Sequence, residues 1–120
     1  MIQNLFRLLF VLLILLSIGL SLTPLVAEVP MRWNDKLIHA FAYFSLILSF
    51  DFSWRSGKFL IVKAILVLAY SGLIEYAQGY VPGRHVSEYD MFANAVGIGI
   101  FILMVPIFKR VQLYQWLRLA

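Results

Sequence analysis

Four apolar runs follow one another along the chain, at about 5–25, 36–53, 59–80 and 90–108, each near the ~18–20 residues that a helix needs to cross a bilayer. Short polar breaks separate them. The first run, LFRLLFVLLILLSIGLSL, has Arg7 near its start and Ser17, Gly19 and Ser21 near its end, where small residues let another helix come close. Its apolar core exceeds the ~7–15 residues of a secretory leader, and Leu25-Val26-Ala27 lacks a small residue at both cleavage positions, so a retained helix is expected. A loop over 26–34 follows, broken by Pro30 and anchored by Trp33, with Asn34 or Asp35 able to cap the second helix.

The second run, KLIHAFAYFSLILSFDF, sets Asp35, His39 and Tyr43 at i, i+4 and i+8, along one helix face with Ala42 beside them. It ends at Asp51. The third run reads as plainly apolar until its last two turns, where Ser71, Glu75 and Gln78 stack at i, i+4 and i+7 between Gly72 and Gly79. Pro82-Gly83 fits the middle of a type II turn. The fourth run places Asp90, Ala93, Asn94 and Gly97 at i, i+3, i+4 and i+7, a polar and small stripe on a greasy helix. Gly97 and Ala93 mark where this helix should meet the second or third. Residues 109–120 alternate as a short interfacial helix. The pattern predicts one all-α domain over 1–120: an integral membrane four-helix bundle with a short interfacial C-terminal helix.

Composition sharpens that reading. The chain is 62% hydrophobic and only 13% charged, and its mean hydropathy is +0.89. With no cysteine, disulfides, thiolate nucleophiles and thiolate metal sites are excluded. The net charge of +4 sits at the ends of the runs, where membrane topology uses it, so nucleic acid is not an expected partner. Arg7, Arg55, Lys58, Lys109, Arg110 and Arg118 would share one side of a four-span chain, against Arg32, Lys36 and Arg84 on the other. That excess puts both termini in the cytoplasm and the loops over 26–34 and 81–89 outside.

Asp35, Lys36, His39, Tyr43, Glu75, Gln78, Arg84, Asp90 and Asn94 then gather at the outer end and form the candidate ligand-binding set. An ionisable group at bilayer centre costs about 2.5–3.5 kcal/mol on insertion scales, so such residues turn inward and find partners. Each also has a structural explanation. Glu75 would pair with His39 or Lys36, His39 would be a hydrogen-bonded packing residue, and Asp90 would cap its helix. Asn94 and Gln78 would bond between helices, Arg84 would touch lipid phosphate, and His85 and Glu88 would be solvated. Pairing alone explains one or two costly groups, not so many at one end.

The blocks DKLIHAFAYF (35–44), EYAQGYVPGR (75–84) and SEYDMFANAVG (87–97) resemble the VanZ-like family of bacterial membrane proteins, over roughly residues 30–105. The resemblance implies that Asp35, Lys36, His39, Tyr43, Glu75, Gln78, Pro82, Gly83, Arg84, Asp90, Asn94 and Gly97 are signature positions. It implies a multi-pass protein of the bacterial cytoplasmic membrane, and the family takes its name from a protein giving low-level resistance to the glycopeptide teicoplanin. The chain departs from the pattern in its shortness and in His85-Val86 within the turn.

Two function classes fit. In the first, an outward pocket binds an anionic lipid or lipid-linked envelope precursor, with Arg84 and Lys36 taking the anion. In the second, a membrane enzyme uses Glu75 or Asp90 as general base with His39 as acid-base partner. Binding is the preferred reading. No cofactor is expected, although Asp35, His39, Glu75 and Asp90 form an oxygen-rich set that would suit a hard divalent metal.

Overall fold

The computed structural model describes residues 2–22, 33–54, 59–82, 88–108, 110 and 116, and only the backbone of Trp33, Asn34 and Asp35. These residues form four helices and no strand: α1 (Ile2–Leu22), α2 (Trp33–Ser53), α3 (Leu60–Gln78) and α4 (Glu88–Phe108). The expected interfacial helix over 109–120 lies almost wholly outside the described residues.

Each helix begins where the apolar run predicts, to within a few residues. The two capping expectations shift. α2 already starts at Trp33, so Asn34 and Asp35 fall in its first turn; α4 starts at Glu88, so Asp90 sits inside its first turn rather than at its cap. A carboxylate there is still favoured by the helix dipole. At the end of α3 the backbone tightens, with Gly79, Tyr80 and Val81 donating to Tyr76, Ala77 and Gln78 three residues back.

The helices alternate in direction. Gln3 of α1 meets Ser53 at the end of α2, while Gln78 at the end of α3 meets Ser21 near the end of α1. α2 touches each of the other three helices. The core lies around it: Tyr43, Leu46 and Ile47 from α2, Ala64 and Val67 from α3, and Ile98, Phe101 and Val105 from α4. No residue of α1 is buried; its Phe10, Leu13 and Ile14 lean on the core from outside.

At Gly97 the backbone of α4 lies tight against that of α2. A Cβ built there would lie 2.1 Å from the Ala40 carbonyl oxygen, so only glycine allows the approach, as the small stripe predicts.

Large apolar side chains such as Leu12, Phe41, Leu73 and Leu103 face outward, while Asp51, Lys63, Glu75, Gln78 and Asn94 are buried. That inverts the arrangement of a water-soluble protein. Among the described residues α1, α3 and α4 are long and apolar enough to cross a membrane. α2, expected as a span, is not among them. It is long enough at 21 residues, but Asp35, Lys36, His39 and Asp51 dilute its apolar run. Its central place explains how it carries three of them: Lys36, His39 and Asp51 meet polar groups of α3 and α4.

Candidate functional site

The three polar stripes converge at the end formed by the start of α2, the end of α3 and the start of α4. The first turns of α2 and α4 lie side by side, and Lys36 donates a charge-assisted hydrogen bond to Asp90. One turn further in, His39 Nδ1 is 3.1 Å from Asn94 Oδ1, and its Nε2 is 3.8 Å from Asp90 Oδ1. Asn94 then crosses to α3, its Nδ2 donating to Ser71 Oγ at 2.8 Å. Ser71 in turn shares a hydrogen bond with Tyr43, which lies within electrostatic reach of Glu75.

His39 is the most open member of the chain, Lys36 and Asp90 are partly buried, and Tyr43, Ser71, Glu75 and Asn94 are buried. The arrangement follows from helical spacing. Glu75 and Ser71 are one turn apart on α3, Asn94 and Asp90 one turn apart on α4, and Tyr43 and His39 one turn apart on α2. Gln78 turns the other way from this chain. Its Nε2 donates to the Ser21 carbonyl at 3.1 Å, fastening α1 to α3. Ser17 bonds Tyr70 lower down, so Ser17 and Ser21 hold α1 where the small residues predict a close helix.

No family model, curated protein or solved structure matches the chain. The VanZ-like resemblance therefore rests on the three residue blocks alone.

Of the nine expected ligand-binding residues, the structure brings Lys36, His39, Tyr43, Glu75, Asp90 and Asn94 together, and it places Gln78 beside them facing α1. Arg84 and the Asp35 side chain lie outside the described residues, as does the Gly83 of the expected turn. His39 and Lys36, considered as partners for Glu75, bond instead to Asn94 and Asp90. Among the described residues no three His, Asp or Glu side chains converge to hold a metal ion.

Ser71 is the member of the network that sequence reasoning noticed but gave no role. Its signal was the i, i+4 spacing to Glu75. A second cluster, at the opposite end, escaped altogether. Lys63, inside a stretch that reads as apolar, is buried and donates to Asp51 Oδ1 at 3.1 Å, to the Asp51 carbonyl at 3.4 Å and to the Trp54 carbonyl. From α1, Gln3 Nε2 and Arg7 Nε reach the Ser53 carbonyl at 2.8 and 3.1 Å. Those carbonyls lie at the C-terminal end of α2, and cations and an amide from α1 and α3 bond them as a helix cap would.

Proposed function

We propose that the chain is a VanZ-like protein of the bacterial cytoplasmic membrane: a four-helix bundle of four spans with both termini inside, whose polar end faces outward. There it binds the head group of an anionic lipid or lipid-linked envelope precursor. One observation carries this reading: side chains from three helices gather into one polar cluster at one end of a protein whose exterior is apolar. Exposed Tyr76, Tyr80 and Tyr89 at that end, and Trp54 and Phe59 at the other, suit the two bilayer interfaces. Lys36 is already engaged by Asp90, so a phosphate would compete for it while Arg84 supplies the further positive charge.

A second reading has its own support. His39 lies between Asp90 and Asn94, the kind of placement that acid-base chemistry uses, which keeps a hydrolase or transferase acting on a phosphate-containing lipid-linked substrate in view.

Purified protein in nanodiscs should bind a radiolabelled polyprenyl-diphosphate-linked cell-wall precursor without releasing product. Glu75→Gln and Arg84→Lys should each weaken that binding about tenfold or more, the effect of losing roughly 1.4 kcal/mol, while the protein accumulates normally. Product release would favour the enzyme; neither binding nor release would sink both readings. Teicoplanin susceptibility of cells carrying the same variants gives a cellular readout.

Orientation has a separate test, made simple by the lack of cysteine. An impermeant thiol reagent applied to intact cells should label Ser87→Cys and leave Ser56→Cys unlabelled. The opposite pattern would place the polar end in the cytoplasm.

A further inference from the structure

We propose that Ser71 and Asn94 are positioning residues: they hold His39 protonated at Nδ1 and turned so that Nε2 is the atom offered to a ligand hydroxyl or amide N–H, with Glu75 setting the direction of the chain. The inference rests on the polar end being the binding site.

A carbonyl oxygen only accepts, whereas an amide nitrogen only donates. Asn94 is 2% exposed, so its two ends have no water to turn to. Its Nδ2 donates to Ser71 Oγ at 2.8 Å, which leaves Oδ1 facing His39 Nδ1 at 3.1 Å. A hydrogen bond across that gap requires the imidazole hydrogen on Nδ1.

The reversed chain would need the amide turned over, with Ser71 donating to Asn94 and the amide donating to a bare Nδ1. Glu75 opposes that. Ser71 also bonds Tyr43, and Glu75, itself 2% exposed, acts electrostatically on Tyr43. An ionised Glu75 would draw the Tyr43 hydroxyl hydrogen toward itself, and bonded chains polarise in one sense. The single hydrogen of Ser71 therefore points to Tyr43, and its lone pairs receive the Asn94 amide. The orientation is relayed over three helices, from a carboxylate on α3 to an imidazole on α2.

Nε2 is the other nitrogen of a ring that stays 30% exposed. It stands 3.8 Å from Asp90 Oδ1, beyond hydrogen-bond length, and that oxygen is already bound by Lys36. In the neutral ring Nε2 carries a lone pair, which a ligand O–H or N–H would meet. A head group bearing hydroxyl or amide groups beside its phosphate, such as a sugar, fits that acceptor; a bare phosphate does not use it.

The two histidines make the test tractable. The whole chain, labelled with 15N in its imidazole rings and held in micelles at about pH 8.5 where free imidazole is neutral, should show the Nδ1–H form at His39; a His39→Gln sample identifies the signal. Ser71→Ala and Glu75→Gln should each move the population toward the Nε2–H form, and Ser71→Thr, which keeps the hydroxyl, should not. A wild-type protein in the Nε2–H form would overturn the proposal, and so would a tautomer indifferent to both Ser71→Ala and Glu75→Gln. The wild-type spectrum decides the first point even where a variant fails to fold. Binding of the labelled precursor, measured on the same samples, should fall several-fold in Ser71→Ala. Unchanged binding with a shifted tautomer would overturn the role given to Nε2 and leave the binding site standing; absence of binding in every sample would overturn the site itself.

Discussion

Lys63→Met should abolish most of the folded protein, although it exchanges one unbranched side chain for another in an apolar helix. The change takes from Asp51, 1% exposed, the buried cation that bonds its carboxylate at 3.1 Å. Removing one partner of such a pair costs about 3–5 kcal/mol, a large share of the total stability of a small domain. It also strips the caps from the Asp51 and Trp54 carbonyls. Replacing both partners tells the two contributions apart. Asp51→Leu with Lys63→Met removes the charge problem, since apolar replacement of a buried pair is often neutral or better, yet the carbonyls stay uncapped. The double variant should therefore recover much of the folded yield but melt below wild type. Thermal unfolding in detergent, followed by loss of monodisperse protein, measures both. Wild-type melting of the single Lys63→Met variant would mean that Asp51 is not held by that pair.

The same pair shows where sequence reading reaches its limit. Asp51 closes the second apolar run and taken alone looks like an ordinary residue at a span end, while Lys63 is a lone charge inside the third, in a stretch that reads as apolar. They become a buried pair because α2 and α3 turn back on one another, and nothing in either helix's own spacing says so. The site at the other end was legible for the opposite reason. Ser71 with Glu75, Asp90 with Asn94 and His39 with Tyr43 repeat at one helical turn within apolar runs, so each stripe declares a face before any helix is packed. Which stripes bond was less visible. Glu75 looked like the natural partner of His39 by charge, whereas the structure gives His39 to Asn94 and Asp90, because α2 packs tightly against α4 along this stretch. α2 misled in another way. Its charges make it the least membrane-like of the four runs, and Lys36, His39 and Asp51 are met by side chains of α3 and α4 because it sits between them.

Gly97→Ala should be nearly as damaging as the loss of Lys63, and the smallest possible side chain makes the point. Its methyl carbon would fall 2.1 Å from the Ala40 oxygen and 2.9 Å from the Ala40 carbonyl carbon. Those atoms are backbone, so no rotamer can move aside; α4 must retreat from α2 along its length. Overpacking a tight core costs about 1–3 kcal/mol where side chains can yield, and a rigid backbone neighbour places this case at the upper end. The retreat would also reach the site. Asn94 lies one turn before Gly97 and bonds His39, which precedes Ala40 by one residue, so the 3.1 Å contact would open together with the helices. Gly99→Ala is the matched control: it adds the same methyl to the same helix, and nothing stands within 4 Å of it. Alanine there should be neutral or slightly stabilising, because it lowers the backbone entropy of the unfolded helix. A fall in both melting temperature and precursor binding for Gly97→Ala, with neither changed for Gly99→Ala, is the expected result. Equal tolerance of the two substitutions would mean that α2 and α4 do not meet at Gly97, and the bonds joining Lys36 and His39 to α4 would lose the contact that places them.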